Sequence, residues 1–349
     1  MTIPQTQKEW RVLQGAKDFD TLKFNTQAAI PDLSEHDVLI RFHAASLNYR
    51  DLAIAKGTFP FPYKDDIVPA SDGVGEVVAV GSRVTRFKLG DRVATLFNQA
   101  HVAGSLDQHS MATGVGGVLD GALRQYGAYD QEGLVHVPKN LDWLEAATLG
   151  CAGLTAWNAF YGLQGRLLRQ GDWVVTQGTG GVSVFALQFA KAAGANVIAT
   201  TSSPEKARRL KQLGADHVIN YKETPNWGEA AKQLTGGRGV DHVIEVGGPK
   251  TMAQSLKAIR IDGLISIIGF VGGECAEQPT FLEALSNLCT VRGLFVGSRL
   301  QFEEMNRAIE ASDIHPVLDE KVFGLEQTKE AYQYMLEQKH FSKIVIRID

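Results

Sequence analysis

The sequence predicts an α/β protein with two domains, one rich in β-strands and one built on a doubly wound parallel sheet. Its 349 residues are enough to bury two hydrophobic cores. The first third alternates apolar and polar residues over short stretches separated by glycines. From about Leu149 onward, short apolar runs alternate with helical patterns. That alternation is typical of a parallel sheet covered by helices on both faces.

The β-rich third contains three predicted strands, at residues 37–42, 76–80 and 91–96. Glycines between them mark the turns. The polar and glycine-rich stretch 100–121 is predicted to be an irregular lobe. No internal repeat or low-complexity tract is present.

The second region carries the alternating pattern. Its predicted strands occupy residues 172–177, 196–201, 216–220, 241–246, 263–268 and 290–296. Helical patterns occupy residues 204–213, 226–234, 303–310 and 327–338, and the last strand is predicted at 343–348.

Composition excludes several classes of protein. Thirty-five basic residues against 39 acidic ones give a net charge of −4, which argues against a nucleic-acid or membrane-surface partner. No apolar run approaches the roughly 18–20 residues of a membrane span, and the first ten residues lack a secretory signal. Three cysteines (Cys151, Cys275 and Cys289) fit reduced thiols and a cytoplasmic location.

A glycine-rich loop, Gly178-Thr179-Gly180-Gly181-Val182, follows a predicted strand and opens a predicted helix. A side chain at the first or second glycine would obstruct the turn and the approach of a pyrophosphate. The helix N-terminus supplies free N–H donors and partial positive charge. These five residues are therefore predicted to bind a dinucleotide, although an ordinary turn of an α/β sheet is the alternative. Ser183 stands where the usual fingerprint has its third glycine.

The end of the second strand predicts NADP as that dinucleotide. NAD sites usually carry a carboxylate there, whereas this chain reads Thr-Thr-Ser-Ser at 200–203. Ser202, Lys206 and Tyr221 are predicted to form the 2′-phosphate pocket. The alternative is that Ser202 or Ser203 caps the next helix, with Glu205 completing a capping box, and that Lys206 is a solvated charge.

Several motifs in order carry a family resemblance: the segments 45–51 (ASLNYRD) and 80–93 (VGSRVTRFKLGDRV), the glycine loop, and 218–221 (VINY). Over its whole length the chain resembles the medium-chain dehydrogenase/reductase superfamily, most closely its quinone-oxidoreductase-like members. The resemblance implies a GroES-like catalytic domain at residues 1–152 and a Rossmann domain at 153–297. It also implies that residues 298–349 return to the GroES-like domain. It also implies a cofactor cleft between the two domains.

Zinc-dependent alcohol dehydrogenases of this superfamily hold a catalytic metal with a cysteine, a histidine and a second cysteine. Here the first position reads Asn48, the Gly-His-Glu motif reads Ser71-Asp72-Gly73, and only Cys151 retains a thiol. One such ligand cannot hold a tetrahedral zinc. The stretch 93–121 also lacks the four cysteines of a structural zinc site. No metal is therefore predicted.

Without a Lewis acid, reduction of a plain ketone loses several kcal/mol of charge stabilisation. Quinones and α,β-unsaturated carbonyls demand less, since conjugation spreads the incoming charge. Asn48, at the vacated ligand position, is the predicted hydrogen-bond donor to the substrate oxygen or a bound water, and Tyr49 is the candidate proton donor. The alternatives are an asparagine turn and a packed aromatic ring.

The resemblance implies further cofactor contacts. Asp51 matches a residue near the nicotinamide ribose, Thr155 one near the phosphates, and Lys343 a basic position near the pyrophosphate. Two strand ends are similar to those that flank the nicotinamide through backbone groups, and their residues are Phe270, Val271, Phe295 and Val296.

An aromatic segment is predicted to wall the substrate pocket, with Phe59, Phe61 and Tyr63. Phe59 stands where related enoyl-thioester reductases carry a candidate proton-donating tyrosine, which disfavours that substrate class.

The sequence thus predicts an NADPH-dependent oxidoreductase that acts on a small electrophilic substrate, a quinone or an enone. The alternatives are a metal-free alcohol or ketone dehydrogenase and a non-enzymatic NADPH-binding protein. Members of the resembled family often pair their Rossmann sheets edge to edge through the last strand. The apolar stretch at 290–296 fits such pairing, so the resemblance implies a homodimer.

Overall fold

The structure, a computed structural model, describes residues 3–13, 15 and 18–348. The chain divides into two compact units. The first comprises the chain up to Leu154 and from Gly297 onward, and the second is Thr155–Val296. The boundaries predicted after residues 152 and 297 lie within two residues of these; the predicted end points 1 and 349 lie outside the described residues. No helix in the described part of the chain is long and apolar enough to cross a membrane.

The strands are numbered in chain order. They are β1 (Thr6–Val12), β2 (Leu22–Ala29), β3 (Asp37–Ser46), β4 (Asp72–Val80), β5 (Arg92–Thr95), β6 (Tyr126–Asp130), β7 (Leu134–His136), β8 (Trp173–Gln177), β9 (Asn196–Thr201), β10 (His217–Asn220), β11 (Val240–Glu245), β12 (Ile259–Ile267), β13 (Thr290–Gly293), β14 (Leu318–Gly324) and β15 (Lys343–Arg347).

The α-helices are numbered in the same way. They are α1 (Tyr49–Ala55), α2 (Gln108–Met111), α3 (Trp143–Ala146), α4 (Leu154–Tyr161), α5 (Gly181–Ala192), α6 (Pro204–Gln212), α7 (Trp227–Leu234), α8 (Pro249–Ala258), α9 (Leu282–Ser286), α10 (Arg299–Ala311) and α11 (Thr328–Leu336). Short 3-10 turns occupy Phe19–Thr21, Gln131–Gly133 and Leu325–Gln327, and a π-helical turn occupies Leu149–Gly153.

The first unit is built on a mixed sheet in the order β14-β15-β3-β4-β5-β7, with β6 paired to β3 and with β1 and β2 in a separate pair. The C-terminal strand β15 lies antiparallel to β3, with Ile346 opposite Ala45. The implied return of the chain end to the first domain is therefore observed. This pairing brings the start of β15 close to the end of β3, where the candidate catalytic residues begin.

The second unit is a parallel six-stranded sheet in the order β10-β9-β8-β11-β12-β13. The order reverses between β8 and β11, and such a switch point is where doubly wound folds bind ligands, at the carboxyl ends of the strands. The predicted GroES-like plus Rossmann-like fold is confirmed. The last strand of the second unit is shorter than predicted, because β13 ends at Gly293 rather than at residue 296.

Candidate active site

The glycine loop of the second unit lies at the carboxyl end of β8. Gly178 has φ +71, a conformation that favours glycine. A Cβ at Gly180 would meet no atom within 4 Å, so open space lies above the loop. Helix α5 begins without a side-chain cap, and its first backbone bond runs from Val184 N to Gly180 O, at 3.1 Å. Open space and uncapped helix donors together fit a pyrophosphate.

Ser183, the departure from the usual fingerprint, is buried and donates its hydroxyl to the carbonyl of Gln177 at 2.6 Å. The extra polar group is thus satisfied by the last residue of β8. A hydrogen bond therefore joins helix and strand at the position where the third glycine normally allows them to pack closely.

A buried network that sequence reasoning missed joins the carboxyl ends of β8 and β11. Glu245 is fully buried and accepts hydrogen bonds from Gln177 Nε2 at 2.7 Å and from the backbone N–H groups of Gly247 and Gly248 at 2.9 and 2.8 Å. Gln177 Oε1 in turn accepts from Val246 N and Gly247 N. The network holds the strand that precedes the glycine loop to the neighbouring strand end.

The predicted phosphate pocket is partly assembled at the end of β9. Tyr221 donates its hydroxyl to Ser202 Oγ at 3.1 Å. Ser203, not Ser202, is the N-cap of α6, accepting from Lys206 N at 3.3 Å. Glu205 stands one position short of a capping box, because the third helical residue is Lys206. Ser202 therefore does not cap α6.

The remaining predicted cofactor residues of the second unit lie beyond or beside strand ends. Phe270 and Val271 follow β12 and are 41% and 45% exposed. Val296 has φ +50, and its carbonyl accepts from Asn158 Nδ2 at 2.6 Å, so one of the backbone groups assigned to the cofactor already has a partner. Phe295 precedes it beyond the end of β13. Thr155 is buried at the start of α4.

In the first unit, three segments bring Asn48, Asp72 and Lys343 together. Asn48 precedes α1, Asp72 begins β4 and Lys343 begins β15. The Lys343 ammonium donates to Asn48 Oδ1 at 2.6 Å and to the carbonyl of Leu47 at 2.8 Å, and it lies 3.4 Å from Asp72 Oδ2. Asn48 Nδ2 donates to Asp72 Oδ2 at 2.9 Å. We call these three side chains the lysine cluster.

Two hydroxyls complete the surroundings of Asp72. Ser46 Oγ donates to Asp72 Oδ2 at 2.9 Å and Ser71 Oγ donates to Oδ1 at 3.2 Å. Lys343 and Asp72 have side chains only 3% and 0% exposed, so each charge is compensated by its partner rather than by water. Cys151 is half-buried. Burial of its thiol and, to a smaller extent, the nearby Asp72 carboxylate raise the pKa of the thiol, so the thiol stays protonated.

The lysine cluster decides how well a zinc ion would fit. The family's ligand positions hold an amide, a hydroxyl or carboxylate, and a thiol that burial keeps protonated, whereas zinc prefers thiolates and neutral imidazoles. An ammonium lies within hydrogen-bond distance of the first position. Among the described residues, no group of three or more His, Cys, Asp or Glu side chains could hold a metal. These residues do not fit a tetrahedral zinc.

Asp51, assigned to the nicotinamide ribose, is fully buried at the start of α1 and accepts from Asn48 N at 2.8 Å in a capping box. Burial raises the pKa of this carboxyl to about 6, although Arg50 and the Asn48 N–H lower it. Tyr49, the first residue of α1, is 46% exposed. It is thus open to contact, as a proton donor must be.

The aromatic segment after α1 is only partly exposed. Phe59 and Tyr63 pack against the core of the first unit, and Arg50 lies over the Phe59 ring at 5.5 Å. Phe61 is 39% exposed and contacts Phe59 edge to face at 5.4 Å between ring centroids. Phe61 therefore offers the most surface of the three for a substrate.

Fold and site together define an oxidoreductase with a dinucleotide-binding sheet and a GroES-like partner domain. Residues 34–139 match the family model described as "Alcohol dehydrogenase GroES-like domain", and residues 181–311 match "Zinc-binding dehydrogenase". The chain belongs to the zinc-type alcohol dehydrogenase-like proteins of the medium-chain dehydrogenase/reductase superfamily.

Relatives cover nearly the whole chain. A zinc-type alcohol dehydrogenase-like protein of Schizosaccharomyces pombe is 46% identical over 95% of this chain and 96% of its own length. An alcohol dehydrogenase of Rhizobium meliloti is 33% identical over 80% of this chain and 82% of its own.

Among solved structures, an NAD-dependent alcohol dehydrogenase is 30% identical with a TM-score of 0.87, covering 98% of this chain and 100% of its own. A 2-octenoyl-CoA carboxylase reductase in complex with NADP and 2-octenoyl-CoA is 24% identical with a TM-score of 0.86, over 99% and 88% of the two chains. At that identity, the likeness shows the fold alone.

Proposed function

We propose that this protein transfers a hydride from NADPH to a quinone or an α,β-unsaturated carbonyl without a metal ion. The observation that carries the proposal is the lysine cluster, since Asn48 and Asp72 stand at two of the family's three zinc-ligand positions and both contact the Lys343 ammonium. A site without a strong Lewis acid suits acceptors whose conjugation already spreads the incoming charge.

The choice of NADPH rests on the end of β9. No carboxylate follows that strand before α6, so a 2′-phosphate would not be repelled there. Ser202 and Tyr221 bring two hydroxyls together at that end, and Ser202 is spared from capping the helix. Hydroxyl groups of this kind are good partners for phosphate oxygens.

When bound, the cofactor supplies the hydride, which adds to the electrophilic carbon while the displaced electron pair moves to the conjugated oxygen. The protein's own groups then act on that oxygen. Asn48 donates an amide N–H to it, and Tyr49 or water supplies the proton that completes the reduction. The uncapped start of α5 and the loop at Gly178 and Gly180 hold the pyrophosphate.

Substrate panels test the proposal. Purified protein is incubated with NADPH or NADH and with 1,2-naphthoquinone, an enone or a ketone, and in the reverse direction with NADP+ or NAD+ and a secondary alcohol. Loss of NADPH absorbance with the quinone or the enone is expected, with a lower KM for NADPH than for NADH. Binding of NADPH without turnover of any substrate would point to a non-enzymatic role.

Alcohol or ketone turnover is the second candidate. It is favoured by the relatives named as alcohol dehydrogenases, which reach 33% identity over most of the chain. In the same panel, this candidate predicts oxidation of the secondary alcohol and no preference for conjugated acceptors.

We also propose a homodimer formed through the second unit. Next to the edge strand β13, the side chains of Phe281, Leu282 and Leu285 are 99%, 68% and 66% exposed. Apolar exposure of this extent beside an open strand edge favours a protein contact. Light scattering is expected to give twice the chain mass, and Phe281→Ser with Leu285→Ser is expected to give a monomer. A cytoplasmic location is part of the proposal, since all three cysteines are free thiols.

A further inference from the structure

We propose that Lys343 is a positioning residue that orients the Asn48 amide, so that the site presents an N–H donor and selects substrates whose oxygen gains negative charge. This inference rests on the proposed function and deepens it, because it assigns the substrate class to one amide orientation. It also gives Lys343 a role other than the pyrophosphate contact implied by the family resemblance.

The orientation of the amide follows from the chemistry of its two neighbours. A lysine ammonium only donates hydrogen bonds, so the atom of Asn48 that faces Lys343 Nζ at 2.6 Å must be the oxygen. An ionised carboxylate only accepts, so the atom that faces Asp72 Oδ2 at 2.9 Å must be the nitrogen. Turning the amide by 180° would set donor against donor and acceptor against acceptor.

Burial makes this arrangement stiff. Lys343 and Asp72 are fully buried on β15 and β4, the two strands that flank β3, and their opposite charges compensate each other. The ammonium is further fixed by the carbonyl of Leu47, which immediately precedes Asn48. Two hydroxyls, from Ser46 and Ser71, hold the carboxylate on its other sides. Groups held in this way need no reorganisation when charge develops nearby.

The longest hydrogen bond of the amide is made by its N–H group. Of its two Nδ2 protons, one is held by Asp72, and the other faces Ser71 Oγ at the longer distance of 3.4 Å. A substrate oxygen that replaces Ser71 Oγ as the acceptor would therefore meet an N–H group. An enolate or hydroquinone oxygen, which receives the electron pair displaced by hydride addition and later a proton, matches that donor.

Removing the charge pair as a unit tests the proposal. In the double variant Asp72→Asn, Lys343→Met no buried charge is left unpaired, so the fold is expected to survive, as a melting curve checks. Lys329→Met, at an exposed lysine, is the matched control. For the double variant, assayed with the acceptor that the wild type reduces, we expect kcat to fall about 10- to 100-fold, which is at or below the range for loss of one oxyanion donor. We expect its KM for NADPH to stay within about twofold of the wild-type value.

Two kinetic results would overturn the inference. A kcat within about twofold of the wild type would make the pair purely structural. A raised KM for NADPH with an unchanged kcat would instead make Lys343 a cofactor ligand, as the family resemblance implies.

A second readout does not depend on turnover, so it separates failure of this inference from failure of the proposed function. The probe is 4-nitrophenol, titrated by absorbance in the presence of saturating protein. A fixed N–H donor favours the bound phenolate, so the wild type is expected to lower the apparent pKa of the probe and the double variant to lower it less. Equal values for the two proteins would contradict the assignment even if the quinone is reduced.

Discussion

The buried carboxyl of Asp51 makes a quantitative prediction about pH and stability. Its pKa is raised from 3.8 to about 6, first by burial and then by the neighbouring Asp72, against the lowering effects of Arg50, the Asn48 N–H and Lys343. Because the folded pKa exceeds the unfolded one, the folded protein binds more protons between about pH 4 and pH 6. Stability therefore falls as pH rises through this window.

Asp51→Asn removes the titration while keeping an acceptor for the Asn48 N–H. A pKa raised by about two units destabilises the folded state by about 3 kcal/mol at pH 8, and about half of this destabilisation is already present at pH 5. The stability of the variant relative to the wild type should thus improve by about 1–2 kcal/mol between pH 5 and pH 8. Any cost of the amide that does not depend on pH cancels in this difference.

Urea unfolding at pH 5 and pH 8 measures the stability difference between the Asp51→Asn variant and the wild type. Asp65→Asn, at an exposed aspartate, serves as the control and should follow the wild type at both pH values. Parallel pH profiles for the wild type and the Asp51 variant would refute the claim that burial of this carboxyl destabilises the folded state.

Further predictions concern the cofactor loop, the choice of cofactor and the thiol. Gly180→Val places its side chain in open space at an ordinary φ, so it should abolish NADPH binding with little change in Tm. Gly178→Val should instead lower the stability of the folded protein by about 1–2 kcal/mol, because the backbone φ there is +71. Calorimetry distinguishes the two outcomes. Ser202→Asp should raise the KM for NADPH several-fold more than the KM for NADH, and equal changes would remove Ser202 from the phosphate site. Iodoacetamide at pH 8 should alkylate Cys151 much more slowly than a free cysteine because burial raises its pKa, and rapid labelling located by mass spectrometry would contradict that.

Much of the second unit could be predicted because its elements obey local rules. The strand at 196–201 and the helix beginning at Pro204 are observed with those starts, since an apolar run and a proline in the first helical turn are strong local signals. Strands β1 and β2, by contrast, were not predicted. Several of their side chains are polar, which hides the apolar pattern, although Trp10, Val12 and Leu22 are buried in the core of the first unit.

The candidate site divides in the same way. The glycine loop was predictable, because strand, glycines and helix are contiguous in sequence. The lysine cluster was not, since Asn48 and Lys343 are 295 positions apart and meet only through the pairing of β15 with β3. Glu245 was missed because a carboxylate at a strand end carries no sign that five protein groups donate to it.

Whether the reduction proceeds without a metal is tested by measuring zinc in protein of known activity. Zinc is determined by mass spectrometry of the metal content on the same preparation used for turnover, before and after dialysis against a chelator. We expect far less than one zinc per chain, with turnover unchanged by the chelator. One zinc per chain, whose removal abolishes turnover and whose return restores it, would show that the reduction depends on a metal.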